Sequence, residues 1–281
     1  MSFASSTRHM GERINRSVGR RAHQVRTPAF YALTVLFLGF LVFALRESMM
    51  MAVNGWLAGY PLPTHRVHHI MIGGMLTVFT ASIAIQLYRP VKRVGAFQAA
   101  LAFVFSAFVL SIVASGLASA AELIVFIVPV AILAVLHPAR RQLLPTTAHI
   151  HTGLLALAGI GTIFFAIIGA REFIAHTTLA NDHVLFGHYE FMTIVMVSIA
   201  LFAILAALRP VGWRALMYAA VALAILFAGS SLVFPGVEQG SSLGTLAALA
   251  VIVWAITFAV FGEYVDRAEP VEDSRPSVMA G

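Results

Sequence analysis

The sequence predicts an all-α polytopic membrane protein: eight transmembrane helices arranged as two parallel four-helix repeats, with both termini in the cytoplasm. Three observations predict it. The chain of 281 residues is 60% hydrophobic and only 11% charged, whereas a soluble domain carries about a quarter charged residues. Eight apolar runs of spanning length follow one another across short connections, without the strict apolar–polar alternation of barrel strands. Lysine and arginine are also unevenly placed. If successive runs alternate in direction, fifteen of the eighteen fall on the side of the N-terminus, and only Arg46, Arg66 and Arg171 fall opposite. The positive-inside rule then places both termini in the cytoplasm of a cell (plasma) membrane. The same distribution accounts for the net charge of +6 with the lipid bilayer as partner and no nucleic acid.

The elements follow in order. Residues 1–28 form a basic cytoplasmic tail with Arg8, Arg13, Arg16, Arg20, Arg21 and Arg26, and with no apolar core and cleavage site of a signal peptide. The first span covers residues 30–50, and Pro63-Thr64 supplies a stop and an N-cap for the second, at 64–88. Span three occupies 95–114, and Ser115-Gly116 turns the chain into span four at 118–136. Span five covers 147–169 and leads into a polar segment, Arg171–Asp182; spans six, seven and eight cover 183–208, 214–233 and 243–262. The charged, proline-containing residues 265–281 form a disordered cytoplasmic tail.

An internal repeat divides the rest into residues 29–142 and 143–264. Leu45-Arg46-Glu47 matches Ala170-Arg171-Glu172, and Tyr88-Arg89-Pro90-Val91 matches Leu208-Arg209-Pro210-Val211. In the second register His68 falls on His188 and His69 on Tyr189. Four helices return the chain to its starting side, so the halves are parallel repeats about an axis near the membrane normal.

The chemistry concentrates on the extracytoplasmic side. His65, His68 and His69 open span two, and on a helix they share an arc of about 100°. His183 and His188 open span six. Imidazole is the commonest metal ligand, and ionisable groups at membrane depth are functional by default. His65, His68, His69, His183 and His188 are therefore the candidate cofactor ligands, with His65, His68, His69 and His188 the metal set. On a regular helix His183 and Glu190, seven residues apart, share a face, while His188 points about 140° away from His183 unless His183 lies in the loop. Gly187 between them permits close approach of a flat ligand or a neighbouring helix.

Four carboxylates complete the candidate catalytic set: Glu47, Glu122, Glu172 and Glu190. Glu47 and Glu172 each follow an arginine. Glu122, one turn inside span four, is expected to be protonated, paired with an outer-side His or Arg, or bound to a cation; pairing with the span-two histidines would satisfy both, since carboxylates orient ligand imidazoles through their second nitrogen. The inner histidines His137, His149 and His151 read as interfacial anchors.

Several classes are excluded. The chain has no cysteine, which removes disulfides, thiolate metal sites, CxxCH haem attachment and cysteine-ligated clusters. Its one lysine, Lys92, lies at a span boundary, which removes a retinal Schiff base. No GxSxG, phosphate loop, GxGxxG or HExxH stands at a usable place.

The pattern predicts a membrane redox protein that binds b-type haem or a transition-metal ion, with a membrane quinone or another redox subunit as electron partner. The alternatives are a non-haem copper, zinc or iron oxidase or hydroxylase, a proton-coupled transporter, and an accessory subunit. The HxxHH spacing of His65, His68 and His69 is similar to the histidine boxes of membrane desaturases and hydroxylases, which carry several boxes where this chain has one. The eight-span layout with outer histidines is similar to that of haem A synthase. That family pairs histidines on its even-numbered spans, and spans four and eight here have none, so the likeness is one of layout.

Overall fold

A computed structural model describes residues 3–144, 150–236 and 240–268, with side chains from Arg26 onward. All regular structure among these residues is helical. The α-helices are α1 (Phe3–Asn54), α2 (Arg66–Ala84), α3 (Val94–Ser115), α4 (Leu117–Glu122), α5 (Ile124–Leu136), α6 (Thr152–Thr178), α7 (Asp182–Leu185), α8 (His188–Ala207), α9 (Trp213–Val233) and α10 (Thr245–Ala268). Seven segments among the described residues are long and apolar enough to cross a membrane: Arg26–Asn54, Pro63–Leu87, Val94–Ser115, Thr152–Thr178, His188–Ala207, Trp213–Val233 and Thr245–Ala268.

The expected fourth span is the exception. Residues 117–136 form two helices of 6 and 13 residues that meet at Leu123, so neither reaches spanning length alone. Pro129, which lacks an N–H, sits inside the second. The expected sixth span is also interrupted. Gly187 adopts φ +67, a left-handed conformation that separates the single turn α7 from α8. The need at Gly187 is thus conformational. Among the described residues, its chain neighbours aside, no heavy atom lies within 4 Å of the position its Cβ would take, so no neighbouring helix approaches closely there. The polar segment after span five is helical as far as Thr178, and Arg171 and Glu172 pair with each other within that helix. Likewise α1 begins at Phe3, inside the expected tail, and α10 continues to Ala268.

Helices α2, α3, α8 and α9 form the inner layer, with 61–67% of their apolar windows buried, against 22–33% for the α1, α6 and α10 windows outside them. Between apolar helices the hydrophobic effect gives little preference for one partner over lipid, so close packing decides the arrangement. At Gly73 a Cβ would collide with the backbone nitrogen of Ala52, which shows how closely α2 lies on α1. Phe79, Phe97, Phe202 and Phe227 fill the centre. The turns after α2 and α8 are built alike: Arg89 (φ 50) and Arg209 (φ 51) both take the left-handed conformation before a proline. The two turns also meet, through a Gly95 N–H that donates to Val211 O at 2.9 Å.

Candidate metal centre

The first turn of α2 and the broken start of α8 face each other and bring five imidazoles together. His65, His68, His69 and His188 are buried, and His183 is half-buried. Ring centroids lie 4.3 Å apart for His65–His183, 4.7 Å for His68–His183 and 4.8 Å for His69–His188. The break at Gly187 makes this possible. On a continuous helix His183 and His188 diverge, whereas here their Nδ1 atoms are 3.5 Å apart. The expectation that His183 shares a face with Glu190 fails for the same reason.

The surrounding hydrogen bonds assign the ring protons. Glu172 accepts from the Ser241 hydroxyl, so Ser241 Oγ receives the N–H of His68 Nε2, 2.6 Å away. His68 Nδ1 is then left as a bare lone pair, 3.1 Å from His183 Nδ1. Glu172 is itself buried and takes Arg171 at 3.0 Å. A carboxylate acting on an imidazole in this way, here through a hydroxyl, is the arrangement that fixes tautomer and basicity in metal sites. On the other side His69 joins Tyr60 OH through Nδ1 and His188 Nε2, at 3.2 Å, through Nε2. Burial pushes the Tyr60 phenol up, against the opposing pull of Arg66, so it remains protonated. Arg66 holds the Tyr60 loop by donating to Gly55 O, Leu57 O and Ala58 O. His65 takes Thr64 Oγ1 at 3.0 Å through Nδ1, and its Nε2 is buried with no hydrogen-bond partner among the described residues.

His183 lies outside the spanning segments, and burial, then His68 and His65, push its pKa down to about 4. Its ring is neutral at physiological pH and able to ligate. His65, His183 and His188 can each bring one nitrogen within 4.8 Å of the other two, so the group can hold a metal ion. These three share His183 and His188 with the closest nitrogen contacts, and His68 stands against His183.

The carboxylates divide. Glu172 joins the cluster as described. Glu47 does not: its side chain is 86% exposed and, among the described residues, meets only the solvent-facing Arg46, at 3.6 Å. Glu122 is exposed and forms no hydrogen bond or ion pair among the described residues, so the expected pairing with the α2 histidines is not made. The break at Leu123 leaves Glu122 at the helix end instead, on the rim of a cavity of about 630 Å³ that His69 and His188 also border. Glu190 faces the same cavity and takes Ser111, Ser115 and His176.

At the opposite end, His137 is fully buried, so its ring is not exposed at the surface as an anchor would be. It stacks on Phe97, its Nδ1 accepts from the Ala139 N–H, and its Nε2 meets Gln86 Oε1 at 3.3 Å. Burial, and then Arg26, push its pKa down to about 4. His151 caps α6 by accepting from the Leu154 N–H, and His149 lies outside the described residues. Tyr60, Ser241 and Gly240 were not among the expected site residues. All three are loop residues and follow no helical period, so proximity in the fold alone brings them in. Searches against protein families, curated proteins and solved structures find no match to this chain.

Proposed function

We propose that this chain is a multi-pass membrane protein that holds one transition-metal ion in an all-imidazole site at the extracytoplasmic end of α2 and α8. The observation that carries the reading is the group His65, His183 and His188, whose donor nitrogens lie within 4.8 Å of one another. His68 Nδ1 is the fourth donor. Ligands of a tetrahedral ion with bonds of 2.0–2.1 Å stand about 3.3 Å apart, close to the 3.1 and 3.5 Å that separate His183 from His68 and His188. The unpartnered Nε2 of His65 supports the same reading, because a buried ring nitrogen without a partner is costly unless something occupies it. In this reading His69 is not a ligand; it orients His188 and passes the hydrogen-bond chain to Tyr60.

The spacing favours a bare ion over haem. Two axial nitrogens on opposite faces of a macrocycle stand about 4 Å apart with a flat ring between them. Here His183 Nδ1 stands only 3.1 and 3.5 Å from the nitrogens of His68 and His188, and neighbouring imidazoles occupy the ring space. An imidazole set suits zinc, copper, iron or nickel. Redox work with a quinone or a second subunit belongs to the iron and copper forms of this proposal.

The reading also takes residues 117–136 as an eighth crossing. Ser115, just before them, bonds Glu190 in the first turn of α8, while His137, just after them, meets Arg26 and Gln86 at the other end. Eight crossings, with the arginine distribution, put both termini in the cytoplasm. Two parallel repeats then relate α1–α2–α3 to α6–α8–α9, a relation supported by the matched left-handed arginines at 89 and 209.

Elemental analysis of the purified protein tests the metal assignment. About one equivalent of a transition metal is expected in the parent, with loss in His183→Ala and His188→Ala and retention in His151→Ala. Equal content in all four proteins, or none in the parent after reconstitution with each metal, overturns it.

A further inference from the structure

The cavity beside the histidines has features that metal binding does not use. It measures about 630 Å³, within the range of small-molecule pockets, and lies between α1, α2, α3, α5 and α8. Its inner part is aromatic and aliphatic, with Phe79, Phe103, Phe126 and Phe191 among the lining groups. Its rim is polar: both oxygens of Glu190 accept serine hydroxyls, Oε1 from Ser111 and Oε2 from Ser115. His176 Nε2 stands 3.6 Å from Glu190, and Glu122 adds a second carboxylate.

A second observation points the same way. The two interruptions of the inner and flanking helices, at Leu123 and at Gly187, both lie on this cavity. Discontinuous helices commonly mark binding sites in membrane proteins, and non-helical backbone within a crossing, as at Leu123 in the eighth crossing proposed above, persists where it lines a cavity. A closed helical wall would need neither break.

We propose that this cavity binds an amphipathic small molecule whose apolar body fills the Phe79–Phe103–Phe126 region and whose head donates hydrogen bonds to Glu190. The head chemistry follows from the acceptors. A carboxylate that already takes two hydroxyl donors keeps lone-pair sites for a further donor and none for a second acceptor. With Glu122 on the same rim, an anionic head is repelled. An amine and a hydroxyl, whether of a lipid or of a quinol, share the required chemistry. The proposal rests on the membrane placement and is independent of the metal.

The test uses three twelve-carbon probes that differ only in the head (amine, alcohol or carboxylate) and carry a photoreactive diazirine at the tail. Each is added to the purified full-length protein in phosphatidylcholine nanodiscs, and labelled peptides are mapped by mass spectrometry. The amine and the alcohol are expected to label the α3, α5 and α8 segments saturably, and the carboxylate at least tenfold less. Preferential labelling by the amine identifies charge as the recognised feature; equal labelling by amine and alcohol identifies hydrogen bonding. Glu190→Gln should reduce labelling by about tenfold while leaving metal content unchanged. Ala107→Leu, which fills the apolar part, should abolish labelling by both, and a parent-like elution profile on size exclusion verifies its fold. Labelling by the carboxylate equal to that by the amine, or labelling confined to lipid-facing residues and unaffected by Ala107→Leu, overturns the proposal. A parent that takes up no metal after reconstitution yet labels saturably would sink the metal assignment and leave this one standing.

Discussion

Arg46-Glu47 near the end of α1 and Arg171-Glu172 near the end of α6 read alike in the sequence and have opposite surroundings. Glu47 is 86% exposed, whereas the Glu172 side chain is 2% exposed and tied to Arg171 and Ser241. The dipeptide does not make the difference; a third element does. After α9 the chain returns over the histidines with Gly240 (φ +84) and Ser241 (φ 52), and Ser241 closes the gap between Glu172 and His68. On the α1 side no such cover reaches Glu47, and Leu45, Ser48 and Met51 border the open cavity instead. The histidine cluster therefore has a sealed flank, where Ser241 and Glu172 fix a ring proton, and an open flank that borders the cavity. An exposed ion pair contributes little. The same pair sealed beside an imidazole sets that imidazole's chemistry.

The largest expected effect acts on neither flank and serves as the control on the comparison. His137, at the other end of the bundle, has its folded-state pKa depressed to about 4. The unfolded chain binds this proton near pH 6.5, so the unfolded state carries more protons between the two values. Stability is then fully present above pH 6.5 and is lost as pH falls from 6.5 toward 4, by on the order of 3 kcal/mol at 1.36 kcal/mol per pH unit. Thermal unfolding followed by tryptophan fluorescence should show a smaller loss over this window in His137→Asn than in the parent. Equal losses would mean that His137 is not held neutral.

Next in size is the contrast between the two glutamates. Glu172→Gln should weaken metal binding by about 10–100-fold, the usual cost of losing a group that orients a ligand. Glu47→Gln should leave binding within about twofold by the same reasoning, since it touches no histidine. The measurement is competition against a chelator of known affinity. Comparable losses in both variants would erase the distinction between sealed and open flanks.

Much of the site was legible in the sequence, and the remainder fails for identifiable reasons. His65, His68 and His69 follow helical spacing, so their common direction could be read directly. His183 could not be placed, because its meeting with His188 depends on one left-handed glycine. Glu122 was misplaced because nothing in an apolar run with small residues announces a helix break at Leu123. Ser241 lies 173 residues from His68 and in a loop, where no period reports direction. The Arg-Glu match between 46–47 and 171–172 is visible to any alignment, yet alignment cannot say which copy is covered. The seven long apolar helices followed from composition alone, because backbone groups in lipid must be satisfied within the segment.

A smaller effect is expected where the covering loop touches the ring. A Cβ at Gly240 would stand 2.6 Å from His68 Nδ1, and φ +84 disfavours any side chain there. Gly116 has nearly the same φ, +87, with nothing within 4 Å of its Cβ position. Gly116, with ψ 178, lies in the extended positive-φ region that is all but closed to side chains, so both alanine variants carry backbone strain of about 1–3 kcal/mol, Gly116→Ala no less than Gly240→Ala. Only Gly240→Ala should also lower metal affinity, by about tenfold, in line with other disturbances around a ligand. If Gly116→Ala matches it, the loss comes from general destabilisation and not from the sealed flank.

The smallest expected effect separates the two hydrogen-bond chains that reach the cluster. Ser241→Ala removes the hydroxyl between Glu172 and His68, leaving Nε2 3.9 Å from the nearest carboxylate oxygen. That distance is too long for a direct bond, but a water can restore part of the link, so a loss of about three- to tenfold in metal affinity is expected. Tyr60→Phe removes the partner of His69 Nδ1 on the open flank. Because His69 reaches the ion only through His188, its expected loss is about twofold, one step further from the metal. The order of the two is the informative result. A larger loss from Tyr60→Phe than from Ser241→Ala would make His69, and not His68, a ligand, with His68 as the orienting ring. The metal would then sit toward the cavity, where a bound small molecule could reach it.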